Sequence, residues 1–232
     1  MTIEESEHKK IFTLTFGNLL FDCIIALDGD LPLKKVIQSM GNIPILAADG
    51  AAISLLKKKI KADYVIGDLD TFRASPLRSF FEEEKIKYLP SQEENDFEKT
   101  LNFASSLNYK NLLIIGFHGG ELEHTLNNWS VLKKYCRDLN LCVCDKGRYG
   151  IPISFSLSLA TRINEIISII PQPLVRLTTK NLKWNLNNEI LELGKREGAR
   201  NLALSDTIEI ELHHGEYMLF IDERLPFAPE FI

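Results

Sequence analysis

Four acidic motifs sit in one half of the chain, each placed where a strand should end: Ala48-Asp49-Gly50, Gly67-Asp68-Leu69-Asp70, Gln92-Glu93-Glu94-Asn95-Asp96-Phe97 and Gly119-Gly120-Glu121-Leu122-Glu123-His124. Carboxylates crowded at strand ends repel one another unless a cation joins them. Hard oxygen ligands suit Mg²⁺, and Mg²⁺ usually arrives with a phosphate-bearing substrate. Any single aspartate here reads equally as a turn residue or an N-cap. As a group they read as a site. Asp68 and Asp70 flank one residue in a loop, so both can reach one ion. Asp96 opens a helix, where backbone N–H groups face an incoming phosphate.

Other residues can serve the same chemistry. Gly116-Phe117-His118-Gly119-Gly120 is a glycine-rich loop between a strand and a helix, of the kind that lets backbone approach phosphate. It has neither the P-loop ending nor dinucleotide-binding spacing. Lys99 lies three residues beyond Asp96, on the same helix face, and can pair with phosphate or merely solvate the helix. His124 can bind phosphate or orient a carboxylate, though a lone histidine is commonly structural. Trp184, in Leu182-Lys183-Trp184-Asn185-Leu186, reads from pattern alone as core.

These residues need a scaffold with strand ends in one place. Between residues 11 and 145, continuous apolar runs alternate with helical patterns. Cys23–Leu27, Ile43–Ala48, Tyr64–Ile66, Leu112–Ile115 and Leu141–Cys144 read as strands buried on both faces of a mostly parallel sheet. In such sheets ligands sit beyond the carboxyl ends of the strands. Asn95 and Glu98 form a capping-box pattern, followed by Phe97, Leu101 and Ala104 on one face. A helix over residues 51–59 buries Leu55 and Leu56. Another begins near residues 123–125, with Leu126, Trp129 and Leu132 as its stripe. Past residue 146, alternation over Ile151–Leu159 and the runs Ile166–Ile170, Leu174–Thr178, Ile190–Leu193, Thr207–Leu212 and Tyr217–Ile221 predict a β-sandwich or barrel. The expected architecture is an α/β domain over residues 11–145 and an all-β domain over residues 146–232, with residues 1–10 frayed.

The 232 residues have 45% hydrophobic and 25% charged content and a net charge of −5, values of a soluble globular protein without the basic face of a nucleic-acid binder. No signal peptide is read in the polar first ten residues. Asp22 interrupts the most apolar stretch, so no membrane span is expected. Cys23, Cys136, Cys142 and Cys144 form no Cys-x-x-Cys pair and read as small buried hydrophobes in a reducing cytosol. A cytoplasmic location is therefore expected. The Asn128-Trp129-Ser130 sequon reads as chance.

The ordered set Ala-Asp-Gly-Ala, Gly-Asp-x-Asp, Gln-x-x-x-Asp-Phe-x-Lys-x-Leu, Gly-Gly-x-x-x-His and Lys-Asn-Leu-Lys-Trp-x-Leu resembles the thiamine pyrophosphokinase family across residues 22–221. The resemblance implies an ATP-binding α/β domain, a C-terminal β-sandwich, and a homodimer with thiamine held where these domains of different subunits meet. It implies Mg²⁺ on Asp68, Asp70 and Asp96, and Asp49 lining the site, with Asp49, Asp70 and Asp96 as the catalytic carboxylates. Gln92, Lys99, Gly119, Gly120, Glu123 and His124 would serve ATP. Trp184, Arg200 and Asn201 would lie near thiamine. The chain departs from the family pattern in three places. Glu121 stands where an arginine is usual, Glu123 replaces aspartate, and Arg200 replaces the serine before Asn201.

The implied reaction is pyrophosphoryl transfer, in which the thiamine hydroxyl attacks the β-phosphorus of Mg·ATP and yields thiamine diphosphate and AMP. Such chemistry needs charge neutralisation and in-line alignment more than covalent catalysis. Asp96 or Asp70 would take the hydroxyl proton. Glu121 and Arg200 keep open a kinase for another hydroxymethyl heterocycle, such as a pterin or a thiamine analogue. A nucleotide- or thiamine-binding regulator without turnover is the alternative from another class.

Overall fold

The computed structural model describes residues 10–232; the expected fraying of the N-terminus concerns a segment of which residues 1–9 lie outside that range. The chain divides into two compact units. One holds residues 17–152 and 223–228. The other holds the described residues up to Phe16, residues 153–222 and residues 229–232. The first strand, β1 (Ile11–Thr15), belongs to the second unit.

The α/β unit runs β2 (Cys23–Ala26), α1 (Lys34–Gln38), β3 (Ile45–Ala48), α2 (Ala51–Lys57), β4 (Tyr64–Gly67), α3 (Asp70–Ala74), β5 (Ile86–Tyr88), α4 (Asp96–Ser106), β6 (Asn111–Ile115), α5 (Leu122–Tyr135), β7 (Asn140–Asp145) and β8 (Arg148–Ile153). Its strands are ordered β5-β4-β3-β2-β6-β7-β8, all parallel except the β7–β8 pair. Every residue of β2 and β3 is buried, as the continuous apolar runs require. Helix α4 packs on β3 and β4 through Phe97, Leu101 and Ala104. Its capping box is complete: Asn95 Oδ1 accepts from Glu98 N–H at 2.8 Å, and Glu98 Oε2 accepts from Asn95 N–H at 3.3 Å. Helix α5 departs from its expected stripe. Val131 and Leu132 are buried, but Leu126 is 64% exposed. Only the C-terminal half of α5 supplies core; its N-terminal half borders a pocket.

The β unit contains β1, β9 (Ser156–Ala160), β10 (Ile166–Lys180), β11 (Glu189–Glu192), β12 (Gly198–Leu202), β13 (Thr207–Asp222) and β14 (Glu230–Phe231). Strands pair in the order β14-β1-β9-β13-β10, and β10 carries β11 and β12 on its other edge. The runs expected as pairs of short strands are single long strands, β10 and β13, bent at register shifts near residues 171–175 and 176–177. Gly215 sits at that bend with φ +87°, and a Cβ there would lie 2.1 Å from Leu174 O.

The unit boundaries differ from those expected at 11–145 and 146–232. Strand β1 hydrogen-bonds to β9 and β14, which draws it into the β unit. Strand β8 turns back on β7 and carries the α/β unit to residue 152.

Candidate active site

A pocket of about 600 Å³ opens in the α/β unit, lined by the ends of β2, β3, β4 and β6 and by the starts of α4 and α5. That is ordinary size for a small-molecule site, at the position an open α/β sheet favours.

The loop after β4 is built under strain. Gly67 has φ +149° and Leu69, fully buried, has φ +67°, a conformation rare for a branched side chain. This path turns Asp68 inward while leaving Asp70, the first residue of α3, exposed. Asp68 accepts from Gln92 Nε2 at 3.2 Å and from its neighbour Asp70 N–H at 3.4 Å, and its own N–H donates to Asp96 Oδ1 at 3.2 Å. Asp49, in the left-handed region at φ +41°, accepts from Thr71 N–H (3.1 Å) and Phe72 N–H (3.0 Å). It therefore ties the end of β3 to the start of α3.

Asp49, Asp68 and Asp96 each offer a carboxylate oxygen within 4.8 Å of the others. Asp70 is not among them. The expected trio of Asp68, Asp70 and Asp96 thus differs from the cluster seen, in which Asp49 takes the third place. Carboxylate oxygens have lone pairs to spare beyond the hydrogen bonds named, so the three fit a hard divalent cation. Lys99, 2% exposed, contacts Asp96 Oδ1 at 3.0 Å. Burial raises the Asp96 carboxyl above the ordinary carboxylate range; Lys99 opposes that rise and the Asp68 charge adds to it.

Gln92, Lys99, Gly119, Gly120 and His124 all line the pocket. Glu123 does not; it lies exposed on α5. Gly119 and Gly120 have φ +95° and +68°, and a Cβ on Gly119 would lie 2.8 Å from the Asp30 backbone nitrogen. The close approach is needed because two loops are zipped together here: Gly29 N–H donates to Gly116 O and Asp30 N–H to His118 O. Glu121 lines the pocket too, with one oxygen 3.5 Å from His124 Nε2. Sequence reasoning missed Asp28, which lines the pocket and accepts from Ser54 Oγ at 2.7 Å. Its signal was present in Asp28-Gly29-Asp30 at the end of a strand. It also missed Asn128, whose amide donates to Phe117 O.

Trp184, Arg200 and Asn201 lie in the β unit. The pattern-based placement of Trp184 in the core is wrong: the ring is 57% exposed. Leu182 and Leu186 are buried on either side of it, in a turn rather than a strand. Lys183 Nζ stands 4.8 Å from the indole centroid. Arg200 is exposed, with φ +57°.

The description "Thiamin pyrophosphokinase, catalytic domain" matches residues 40–143, and "Thiamin pyrophosphokinase, vitamin B1 binding domain" matches residues 154–216. A curated relative, thiamine pyrophosphokinase 2 of Arabidopsis thaliana, is 25% identical over 176 residues, covering 68% of this chain and 64% of its own. Among solved structures, thiamine pyrophosphokinase from Bacillus subtilis superposes with a TM-score of 0.69 at 20% identity, over 88% of this chain and 100% of that one. The Geobacillus thermodenitrificans protein gives 0.72 at 18% identity over 88% and 98%. Yeast thiamin pyrophosphokinase gives 0.71 at 16% over 88% and 86%. Two family domains in the expected order span most of this chain, which belongs to the thiamin pyrophosphokinase family.

Proposed function

We propose that this protein transfers pyrophosphate from Mg·ATP to the hydroxyl of thiamine, releasing thiamine diphosphate and AMP. The observation that carries the reading is the pocket of the α/β unit, where three carboxylates and a buried lysine meet glycine-rich backbone at strand ends. It is supported by the two family domains matched along the chain.

The residues divide the work. Asp68 and Asp96 hold the divalent cation, with Asp49 completing the cluster and Asp70 in reserve two residues from Asp68. Mg²⁺, when bound there, neutralises charge on the phosphate oxygens. Gly119 and Gly120 leave room for phosphate against backbone. Lys99 holds Asp96 in place and adds fixed positive charge. Gln92 orients Asp68. Asp96, its carboxyl raised by burial, would accept the hydroxyl proton. Trp184 offers an aromatic face for the pyrimidine ring. Glu121 would meet phosphate with the wrong sign, but His124 beside it supplies a partner. We extend the reading to a cytoplasmic homodimer. No helix among the described residues is long and apolar enough to cross a membrane.

The test is to incubate the purified protein with Mg·ATP and thiamine and measure AMP and thiamine diphosphate together. Equal amounts of both are expected. Bound Mg·ATP without AMP would overturn the reading in favour of a regulator. AMP release that a pterin alcohol supports and thiamine does not would move the substrate. Light scattering across a concentration series tests the dimer.

A further inference from the structure

Asn201 spends its side chain on the backbone of Trp184. Asn201 Oδ1 accepts from Trp184 N–H at 3.1 Å, and Asn201 Nδ2 donates to Trp184 O at 2.8 Å. The same Oδ1 also accepts from Leu202 N–H at 2.9 Å. Both lone-pair sites of that oxygen are filled and one of the two amide hydrogens is used. Little of this amide remains for a ligand.

The clamp depends on an irregularity in β12. Pairing runs Ile166 with Leu202, Ile167 with Asn201, then Ile169 with Gly198. Ala199 and Arg200 therefore oppose the single residue Ser168, which makes a β-bulge. Ser168 Oγ accepts from Arg200 N–H at 2.9 Å, and Arg200 takes φ +57°. Bulges of this kind re-aim neighbouring side chains. Here the result is that Asn201 adds side-chain bonds to the backbone pairing of this turn, in which Lys183 N–H donates to Leu202 O at 2.9 Å and Leu204 N–H to Asn181 O at 2.8 Å. Around it, Asn185 Oδ1 accepts from Leu182 N–H at 3.0 Å, and Asn181 Nδ2 donates to Thr207 O at 2.8 Å. A large, 57% exposed aromatic ring thus stands on a backbone fixed from several sides.

We propose that Asn201 is a positioning residue: it pre-sets Trp184 as a rigid platform for the aromatic ring of the substrate, and touches that substrate through Trp184 only. This rests on the reading of Trp184 as the thiamine platform given above. Pre-setting a binding surface lowers the ordering cost on association. Loss of the clamp therefore acts on substrate affinity and leaves the phosphoryl chemistry alone.

The chain has two tryptophans, so a Trp129→Phe background leaves Trp184 as the single reporter. Asn201→Ala in that background is expected to lower the anisotropy of Trp184 and raise its iodide quenching in ligand-free protein. The KM for thiamine should rise about tenfold, on the scale of one to two net hydrogen bonds, with kcat and the KM for ATP little changed. Asn201→Asp keeps the acceptor but sets a carboxylate oxygen against Trp184 O, and should match the alanine variant. Ser168→Ala removes only the bulge anchor and should move the same readouts less; it carries the test should the Asn201 variants fail to fold. Unchanged anisotropy and quenching with a raised thiamine KM would overturn the proposal and make Asn201 a direct ligand contact. The failure of the parent reading looks different. If Trp184→Ala left the thiamine KM unchanged, the platform would be lost while the anisotropy result still reported the clamp.

Discussion

Replacing Lys99 by methionine removes the internal cation of the carboxylate cluster while keeping its volume. Lys99 Nζ lies 3.0 Å from Asp96 Oδ1, with side-chain exposures of 3% and 27%. At an effective dielectric constant of about 20, that separation gives a Coulomb ceiling of roughly 5 kcal/mol. Breaking a buried pair by deleting one member typically costs about 3–5 kcal/mol. Asp96 retains some water contact, so about 2 kcal/mol is expected at neutral pH, or a fall in melting temperature of about 4–8 °C. The sign with pH follows from Asp96. Burial already raises its carboxyl, and Lys99 opposes that rise; without Lys99 the folded-state value moves further above the unfolded one. A carboxyl raised in this way destabilises the fold as pH rises through its folded value, and the penalty disappears below its unfolded value. The gap between Lys99→Met and parent should therefore be full at pH 7.5 and close as pH falls towards the ordinary carboxylate range. Melts with EDTA across that range measure it. Added Mg²⁺ should narrow the gap at pH 7.5, since a divalent cation replaces the missing charge. Equal melting temperatures at pH 7.5 with EDTA would refute the assignment of Lys99 as counter-charge to the cluster.

Asp96→Asn should lower turnover by at least about 10²-fold, the scale of removing one electrostatic contact to a transition state, and should also lower the melting temperature, because it leaves buried Lys99 without its counter-charge; steady-state kinetics beside a melt reads both. Asp70→Asn separates the two carboxylate trios: a loss as large as that of Asp96→Asn restores Asp70 to the metal set, and a loss below about tenfold leaves Asp49 in that place. Gly67→Ala puts a Cβ 2.8 Å from Asp96 Oδ1 at φ +149° and should cost about 1–3 kcal/mol together with most Mg·ATP affinity, read by urea melts and calorimetry. Turnover should fall as pH drops through the raised Asp96 carboxyl, because its charged form is needed; a kcat that did not fall as pH dropped into the carboxylate range would remove Asp96 as proton acceptor.

The scaffold was legible because its signals are local. Runs such as Cys23–Ala26 and Ile45–Ala48 are apolar throughout, and only a sheet covered on both faces buries every residue of a strand. The capping box of α4 needs no information beyond four residues. The choice between Asp49 and Asp70 was not legible. It depends on Leu69 adopting φ +67° and on Asp49 accepting from Thr71 and Phe72, more than twenty positions away. Trp184 failed for a related reason. Leu182, Trp184 and Leu186 share parity, so a strand would bury all three. The segment is a turn held by asparagine side chains together with a few backbone bonds, and there strand parity does not carry through. β1 escaped because its partners, β9 and β14, lie more than 140 residues along the chain.

The charges of the pocket bear on how it would meet its ligand. Asp49, Asp68 and Asp96 against Lys99 leave two negative charges, which one divalent cation cancels. A nucleotide alone, bearing several negative charges, would meet net repulsion from this cluster, whereas a free divalent cation would meet attraction. The cluster therefore disfavours entry of the nucleotide ahead of its cation. Glu121 sharpens that demand by adding negative charge to the rim, with His124 Nε2 3.5 Å away. The affinity for ATP should therefore depend on Mg²⁺ more steeply than the glycine-rich loop alone would require. The buried lysine is the charge that partly offsets the three carboxylates when neither ligand is present.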